Sequence, residues 1–98
     1  MIQKKVTVKN KFGLHARAAA IFVTRASEFN SRIEIEKDGQ VVDGKSIMGI
    51  LTLAAARGTN LTIRAEGTDE KSALKTLSTL FANDFEQEYK KLSGKEVL

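Results

Sequence analysis

The sequence predicts an α+β domain in which a four-stranded, mostly antiparallel sheet is covered on one face by three helices. The chain has 98 residues, which is the size of one domain. Short segments with alternating apolar residues and longer segments with a helical period follow one another in the order βαββαβα. An Asp-Gly turn at residues 38–39 joins two of the strands. Because each strand and each helix buries only one face, the elements are expected to pack as two layers.

The first strand and helix are predicted from the N-terminal third of the chain. Residues 4–9, KKVTVK, place two valines on one face, which is typical of a half-buried strand. Asn10 and Gly13 then indicate a loop. From Ala16 to about Glu28 the apolar residues recur every three or four positions. They form one stripe: Ala19, Phe22, Val23, Ala26 and Phe29.

The middle of the chain predicts a hairpin and a further strand. Isoleucine and glutamate alternate in residues 32–37, and Asp38-Gly39 suits a tight turn because both central positions need positive φ. Residues 41–42 are expected in the return strand. Residues 61–66 alternate again and predict the fourth strand. Its apolar face contains Leu61, Ile63 and Ala65.

Two more helices are predicted in the second half of the chain. Ser46 precedes an apolar stretch at residues 47–58, and Gly58 is expected to end that helix as a left-handed residue. The residues expected to face the core are Ile50, Leu53 and Ala54. The last helix is expected to open at Thr68 or Asp69. Its apolar stripe contains Ala73, Leu74, Leu77, Leu80, Phe81 and Phe85.

Composition narrows the classes of function. The net charge of +4 comes from scattered basic residues, without the aromatic interleaving that nucleic-acid binding favours, so no nucleic-acid partner is expected. The absence of cysteine excludes disulfides and zinc-thiolate sites, a single histidine excludes a histidine-rich metal site without a partner chain, and no metal is expected. No apolar run is long enough to span a membrane, and the first ten residues lack the apolar stretch of a signal peptide. We therefore expect a cytoplasmic protein.

Residues 39–46, GQVVDGKS, match the phosphate-binding loop of nucleotide hydrolases. In those enzymes the first glycine follows a parallel strand, whereas Gly39 is predicted to lie in the hairpin turn between two antiparallel strands. Such hydrolases also need a larger parallel sheet and a second acidic residue on Mg²⁺, for which this chain has no room. We reject ATP hydrolysis and expect no cofactor. Lys45 and Ser46 therefore need another explanation.

The start of the second helix suggests one. Ser46 is a good N-cap, and phosphate on a serine there is favoured by the helix dipole and by the first amides. Ile47, Met48 and Leu51 place large apolar groups outside the core stripe. They are either buried or form a docking surface for a partner, and a small two-layer domain favours the docking surface.

The lone histidine lies in GLHAR, just before the first helix. The amides of Ala16, Arg17 and Ala18 form a ready anion site, and the guanidinium of Arg17 can clamp phosphate oxygens. A neutral imidazole is a competent nucleophile near neutral pH. His15 is therefore predicted to take up a phosphoryl group that the helix amides hold.

With these two motifs, GLHAR and KSIMGILTLAAARGT, the chain resembles the HPr family of bacterial phosphocarriers over residues 1 to about 88. The resemblance implies an open-faced β-sandwich fold and one HPr domain at residues 1–88. Residues 89–98 are left as an extension of the last helix or a frayed tail. The resemblance also implies that the protein is a stoichiometric carrier in a phosphotransferase relay and not a stand-alone catalyst.

The resemblance implies partners as well. His15 would accept phosphate from enzyme I, which takes it from phosphoenolpyruvate, and would pass it to the IIA domain of a sugar permease. Ser46 would be phosphorylated by HPr kinase/phosphorylase in bacteria that have it, which weakens pairing with enzyme I and in some bacteria recruits a transcriptional regulator. The expected partner-binding residues are Phe12, Ala20, Lys45, Ile47, Met48 and Leu51.

One departure and two alternatives remain. The family pattern is H-A-R-P, but here Ala18 stands in place of the proline and restores an amide as one more phosphate donor. We interpret this as a tolerated variant.

The first alternative is a paralogue in a regulatory relay for nitrogen or carbon, in which the IIA protein transports nothing. The second is a protein-binding module that is never phosphorylated.

Overall fold

The computed structural model describes residues 1–86 and residue 88. Within them the elements follow the predicted order, βαββαβα. The strands are β1 (Ile2–Thr7), β2 (Arg32–Lys37), β3 (Gln40–Asp43) and β4 (Asn60–Glu66). The helices are α1 (Ala16–Ala26), α2 (Ile47–Thr52) and α3 (Glu70–Ala82). None of these helices is long and apolar enough to cross a membrane.

The strands form one antiparallel sheet in the order β1-β4-β2-β3. The register aligns the apolar positions across the sheet, since Leu61 pairs with Val6 and Ile63 pairs with Ile35. A period of two then puts every one of these side chains on the same face. The outer face is polar: the Arg64 guanidinium lies 2.6 Å from the Glu36 carboxylate.

The helices cover the inner face, so the predicted α+β architecture is confirmed. Phe22 of α1 and Phe81 of α3 meet edge to face, with ring centroids 5.9 Å apart. The largest side chains removed from solvent are Phe22, Ile33, Ile35, Ile50, Leu53, Leu61, Ile63 and Leu77. Burial of such side chains contributes about 1.5–3 kcal/mol each, which makes this layer the main source of stability.

The hairpin prediction is also confirmed. Asp38 and Gly39 have φ angles of 49° and 87°, and Lys37 pairs directly with Gln40. Positive φ at both central positions matches the strand twist, which is why this turn closes two antiparallel strands without splaying them. Gly39 is thereby confirmed as a turn residue and not as the opening of a phosphate-binding loop.

The second helix is shorter than the sequence predicted. It ends at Thr52, and Ala54 takes the left-handed conformation with φ 48°. The ammonium of Lys37 donates to the carbonyl of Leu53 over 2.9 Å, which satisfies one of the carbonyls left open at the end of the helix. The helix therefore stops well before Gly58.

The role predicted for Gly58 is consequently wrong. Its φ is positive, 87°, but its amide donates to the carbonyl of Val8 over 2.8 Å in the turn that leads into β4. The expectation that Ala54 faces the core is wrong as well, because the left-handed residue turns the chain. Ala54 is exposed, and Ala55 is buried in its place.

The ends of β1 and α3 also differ from prediction. β1 begins at Ile2 and ends at Thr7, so the strand lies two residues earlier than the KKVTVK segment, although Val8 is buried as expected. α3 ends at Ala82. Phe85 is buried, but Asp84 and Phe85 both have positive φ, 53° and 60°. Phe85 therefore lies in a left-handed turn after α3 and does not belong to the helical stripe. The predicted extension at residues 89–98 lies outside the described residues.

A carboxylate joins the start of α3 to the segment before β2. Asp69 accepts hydrogen bonds from the hydroxyl of Ser31, from the amide of Ser31 at 2.9 Å and from the amide of Asn30 at 2.8 Å. Ser31 is fully buried. The Ser31 hydroxyl, followed by the Asn30 amide, lowers the pKa of the Asp69 carboxyl below its ordinary value of 3.8 because both donors favour the ionised form.

Candidate functional site

His15 is the N-cap of α1. Its backbone is extended, with φ −78° and ψ 173°, and its carbonyl accepts the first helical hydrogen bond from the amide of Ala19 at 2.9 Å. The imidazole Nδ1 accepts from the amide of Ala18 at 3.3 Å. An imidazole therefore performs the capping role that a serine or aspartate side chain usually performs. The ring is half-buried and held against the first turn of the helix.

The loop before the helix, residues 10–15, is called the histidine loop below. Asn10 organises it twice: its side-chain Oδ1 accepts from the amide of Phe12 at 2.8 Å, and its carbonyl accepts from the amide of Gly13 at 2.9 Å. The amide of Leu14 donates to the carbonyl of Ala55 at 2.8 Å. The loop is thus fixed both locally and to the chain that follows α2.

The first turn of α1 suits a negatively charged group. Ala16 and Arg17 are exposed, whereas Ala18 is only 2% exposed. The turn contains no acidic residue. The amides at a helix N-terminus and the positive end of the helix dipole favour anions, and a guanidinium adds directed donors. A phosphoryl group on His15 would therefore lie beside groups that stabilise its negative charge.

Ser46 is the N-cap of α2, as predicted. Its hydroxyl oxygen accepts from the amide of Gly49 at 3.0 Å, and its carbonyl accepts from the amide of Ile50 at 3.0 Å. A Cβ added to Gly49 would lie 3.3 Å from the Ser46 hydroxyl oxygen. The bare backbone at position 49 therefore leaves the hydroxyl uncrowded on that side.

Lys45 lies beside Ser46, but its side chain has a structural role. The ammonium donates to the carbonyl of Phe29 at 2.8 Å, and the Lys45 amide donates to the carboxylate of Asp43 at 2.9 Å. The side chain is half-buried. Lys45 therefore connects the segment after α1 to the start of α2, and a role in partner binding stays a prediction.

Large apolar side chains are exposed in the histidine loop before α1 and in the first turn of α2. Phe12 is 74% exposed, Met48 72% and Ile47 40%. The Lys11 ammonium lies 5.0 Å from the centroid of the Phe12 ring, which is cation–π contact. Exposed apolar groups of this size favour docking over burial. We call Phe12, Ile47 and Met48 the apolar patch.

The other predicted partner-binding residues are less exposed. Leu51 is half-buried and packs against the core, and Ala20 is half-buried on α1. The structure brings the two functional segments into contact, because α1 packs against α2 and Leu14 bonds to Ala55. His15 and Ser46 themselves each cap a different helix.

Two residues build this region in ways that the sequence analysis did not predict: Asn10, which it named only as a sign of a loop, and Ala55. Asn10 carries a recognisable signal, because asparagine often bonds the amide two residues later and so shapes a turn. Ala55 carries none, because its contact with Leu14 joins positions far apart in the chain. Among residues 1–86 and 88, no group of His, Cys, Asp or Glu side chains could hold a metal ion.

Comparisons with known proteins agree with this geometry. A family model described as the PTS HPr component phosphorylation site matches residues 2–83. The phosphocarrier protein HPr of Xylella fastidiosa is 44% identical over 88 residues, which cover 90% of this chain and 99% of that protein. The HPr-like protein Crh of Bacillus subtilis is 50% identical over 78 residues, which cover 80% of this chain and 92% of that protein.

A solved structure shows the same fold. The crystal structure of HPr-C-His from Thermoanaerobacter tengcongensis matches with a TM-score of 0.83 and 47% identity, over 87% of this chain and 96% of that one. Sequence and fold therefore agree along almost the whole length of the relatives. The chain belongs to the HPr family of phosphocarrier proteins, whose members interact with enzymes of the phosphotransferase system such as enzyme I and IIA domains.

Proposed function

We propose that this protein accepts a phosphoryl group on His15 and passes it to a second protein. The observation that carries the proposal is the position of His15 as the N-cap of α1, with Nδ1 facing the first turn. A phosphoryl group there lies within the field of the helix N-terminus. The exposed guanidinium of Arg17 and the amide of Ala16 are the groups we assign to its oxygens.

Enzyme I, charged by phosphoenolpyruvate, is the proposed donor, and the IIA domain of a sugar permease is the proposed acceptor. The apolar patch supports a protein partner, because exposed aromatic and methionine side chains are enriched at interface centres. The net charge of +4 would steer an acidic partner surface toward it. We place the exchange in the cytoplasm, with the protein acting as a stoichiometric carrier.

The test is incubation with phosphoenolpyruvate and purified enzyme I, followed by mass measurement before and after acid treatment. Wild type should gain one acid-labile phosphoryl group, His15→Ala should gain none, and Ser46→Ala should behave as wild type. Label that persists in His15→Ala contradicts the assignment of His15. Transfer from the labelled protein to a sugar-specific IIA domain, and not to a regulatory one, separates transport from a regulatory relay.

A second modification is proposed at Ser46, through which a kinase would regulate the carrier. Two observations support it: the hydroxyl caps α2 beside bare backbone at Gly49, and the 50% identical relative Crh is named a catabolite repression HPr. A phosphoserine adds about −1.5 to −2 charges. That charge, two residues before Met48 of the apolar patch, should weaken docking to enzyme I and create a surface for a regulator.

The Ser46 proposal is tested with ATP and HPr kinase. Wild type and His15→Ala should each gain one acid-stable phosphoryl group, and Ser46→Ala should gain none. Acid-stable label on Ser46→Ala would place the modification elsewhere. A phosphorylated wild type that accepts phosphate from enzyme I at the unmodified rate would remove the regulatory part of the proposal.

A further inference from the structure

The hydrogen bond between Ala18 and His15 depends on a residue that departs from the family pattern. The amide of Ala18 lies 3.3 Å from Nδ1 and donates to it. Ala18 occupies the third position of α1, where the amide takes no part in the helical ladder, because the first ladder bond comes from Ala19. Proline at this position would fit the helix start but would have no hydrogen to donate.

We propose that the Ala18 amide positions the His15 ring and changes its acceptor during the reaction. It donates to Nδ1 while His15 carries no phosphoryl group, and to a phosphoryl oxygen once Nδ1 carries one. Ala18 is a positioning residue, because its effect on the transfer passes through the ring of His15. The inference rests on the proposed function of His15 and adds a donor that proline would lack.

The imidazole of His15 is the nucleophile of the proposed transfer. A neutral His15 that accepts from Ala18 at Nδ1 carries its proton on Nε2. The Nδ1 lone pair attacks phosphorus, the bond from phosphorus to the donor's leaving atom breaks, and that electron pair stays with the donor. The ring is then positively charged until Nε2 releases its proton. The phosphoryl group leaves in the reverse sense when a IIA nucleophile attacks it.

The geometry requires the amide to change partners. The Ala18 amide donates to Nδ1, and an acceptor imidazole nitrogen has a single lone pair, which is also the pair that must bond to phosphorus. The ring therefore turns when the group arrives, and the phosphoryl oxygens come to lie toward the same amide. The bond that is given up is long at 3.3 Å, whereas a bond to an anionic oxygen is shorter and stronger.

Two substitutions at one position separate the amide from the packing. Ala18→Pro removes the donor, and Ala18→Gly keeps it while removing the buried methyl group. The equilibrium of phosphoryl transfer with phospho-enzyme I is measured for both and for wild type. In wild type, phosphorylation exchanges a neutral hydrogen bond of the residue 18 amide for a charge-assisted one, and Ala18→Pro can make neither. We therefore expect the equilibrium constant for phosphorylation of Ala18→Pro to be about five- to tenfold lower than that of wild type. Ala18→Gly keeps the amide, so its loss should be clearly smaller than that of Ala18→Pro.

A second measurement does not depend on the variants. In ¹⁵N-labelled wild type, the amide proton of residue 18 should move downfield on phosphorylation by more than that of Ala19, whose acceptor is the His15 carbonyl in both states. An unmoved residue 18 amide, an equal loss in Ala18→Pro and Ala18→Gly, or no loss in Ala18→Pro overturns the inference and leaves the carrier function standing. Wild type that takes up no phosphoryl group overturns the carrier function itself.

Discussion

The amide of Leu14 donates to the carbonyl of Ala55 over 2.8 Å, and this bond attaches the histidine loop to the chain that follows α2. The approach is close because Gly13, the residue before Leu14, has no side chain. A Cβ at Gly13 would lie 2.5 Å from the Ala55 carbonyl oxygen. The position of His15 thus depends on a glycine two residues earlier and on the early end of α2.

Gly13→Ala should therefore destabilise the protein strongly. Its φ of +73° is unfavourable for alanine, and the methyl group would collide with the Ala55 carbonyl. Together these terms cost about 2–4 kcal/mol. Gly58→Ala is the matched control, because φ there is +87° but nothing lies within 4 Å of the added Cβ. The control should lose only about 1 kcal/mol in urea unfolding, and equal losses would contradict the close approach.

Ala54→Gly should stabilise the protein. Ala54 is an alanine in the left-handed conformation, φ 48°, at the end of α2. Glycine removes that strain and regains about 1 kcal/mol after its larger loss of chain entropy. Ala56→Gly, at an exposed neighbouring position without positive φ, should instead be neutral or destabilising. A lower urea midpoint for Ala54→Gly than for wild type would show that the turn is not strained.

Stability should fall at acidic pH through Asp69. The hydroxyl of Ser31, and then the amide of Asn30, hold the pKa of its carboxyl below 3.8 in the folded protein. The unfolded chain therefore binds this proton more readily, so the stabilisation is present above the unfolded pKa and is lost as the pH falls through the folded one. The urea midpoint, measured from neutral pH down to about pH 2, should fall across this window.

Two variants identify the source of that pH dependence. Asp69→Asn should be less stable at neutral pH and should show a flatter acid limb than wild type. Ser31→Ala removes the donor with the largest effect on the pKa of Asp69, so its acid limb should lie between the two. An acid limb in Asp69→Asn as steep as that of wild type would assign the effect to other carboxylates.

Met48→Glu should weaken docking while leaving the fold intact. Met48 is 72% exposed in the apolar patch, so a carboxylate at this position stays in water in the free protein and disturbs the fold little. Docking would remove that carboxylate from water, which costs free energy and weakens binding. The KM for this protein as substrate of enzyme I should rise about tenfold, which corresponds to about 1.4 kcal/mol of lost binding. Val41→Glu introduces the same change on β3, where Val41 is 48% exposed. That control should leave the KM unchanged; a similar rise in both variants would reflect charge alone.

Much of the fold could be predicted because its elements carry local signals. Alternation predicted β2 and β4, and the Asp38-Gly39 pair predicted the hairpin. The predicted end of α1, at about Glu28, lies two residues beyond the helix, and Phe29 of the predicted stripe lies outside it. The length of α2 could not be predicted in this way. Alanine at position 54 favours a helix locally, whereas the bonds from Lys37 to Leu53 and from Leu14 to Ala55 come from distant parts of the chain.

The site shows the same division. The N-cap role of Ser46 followed from its residue type and position, and the exposure of Met48 followed from the all-round apolar helix. The acceptor chosen by the Ala18 amide could not be read from the sequence. It depends on the side-chain rotamer of His15, which places Nδ1 3.3 Å from that amide. The sequence predicted Ala18 as a donor to phosphate, and the structure adds the imidazole as its partner before phosphate arrives.

The most direct test of the central claim is a relay measured with labelled phosphoenolpyruvate, enzyme I, this protein and a IIA domain. With wild type, label should pass through this protein and accumulate on the IIA domain, and omission of the protein should stop it. His15→Ala should stop it equally, while Ser46→Ala should sustain it. Label that reaches the IIA domain at the wild-type rate through His15→Ala would contradict a phosphocarrier that works through His15.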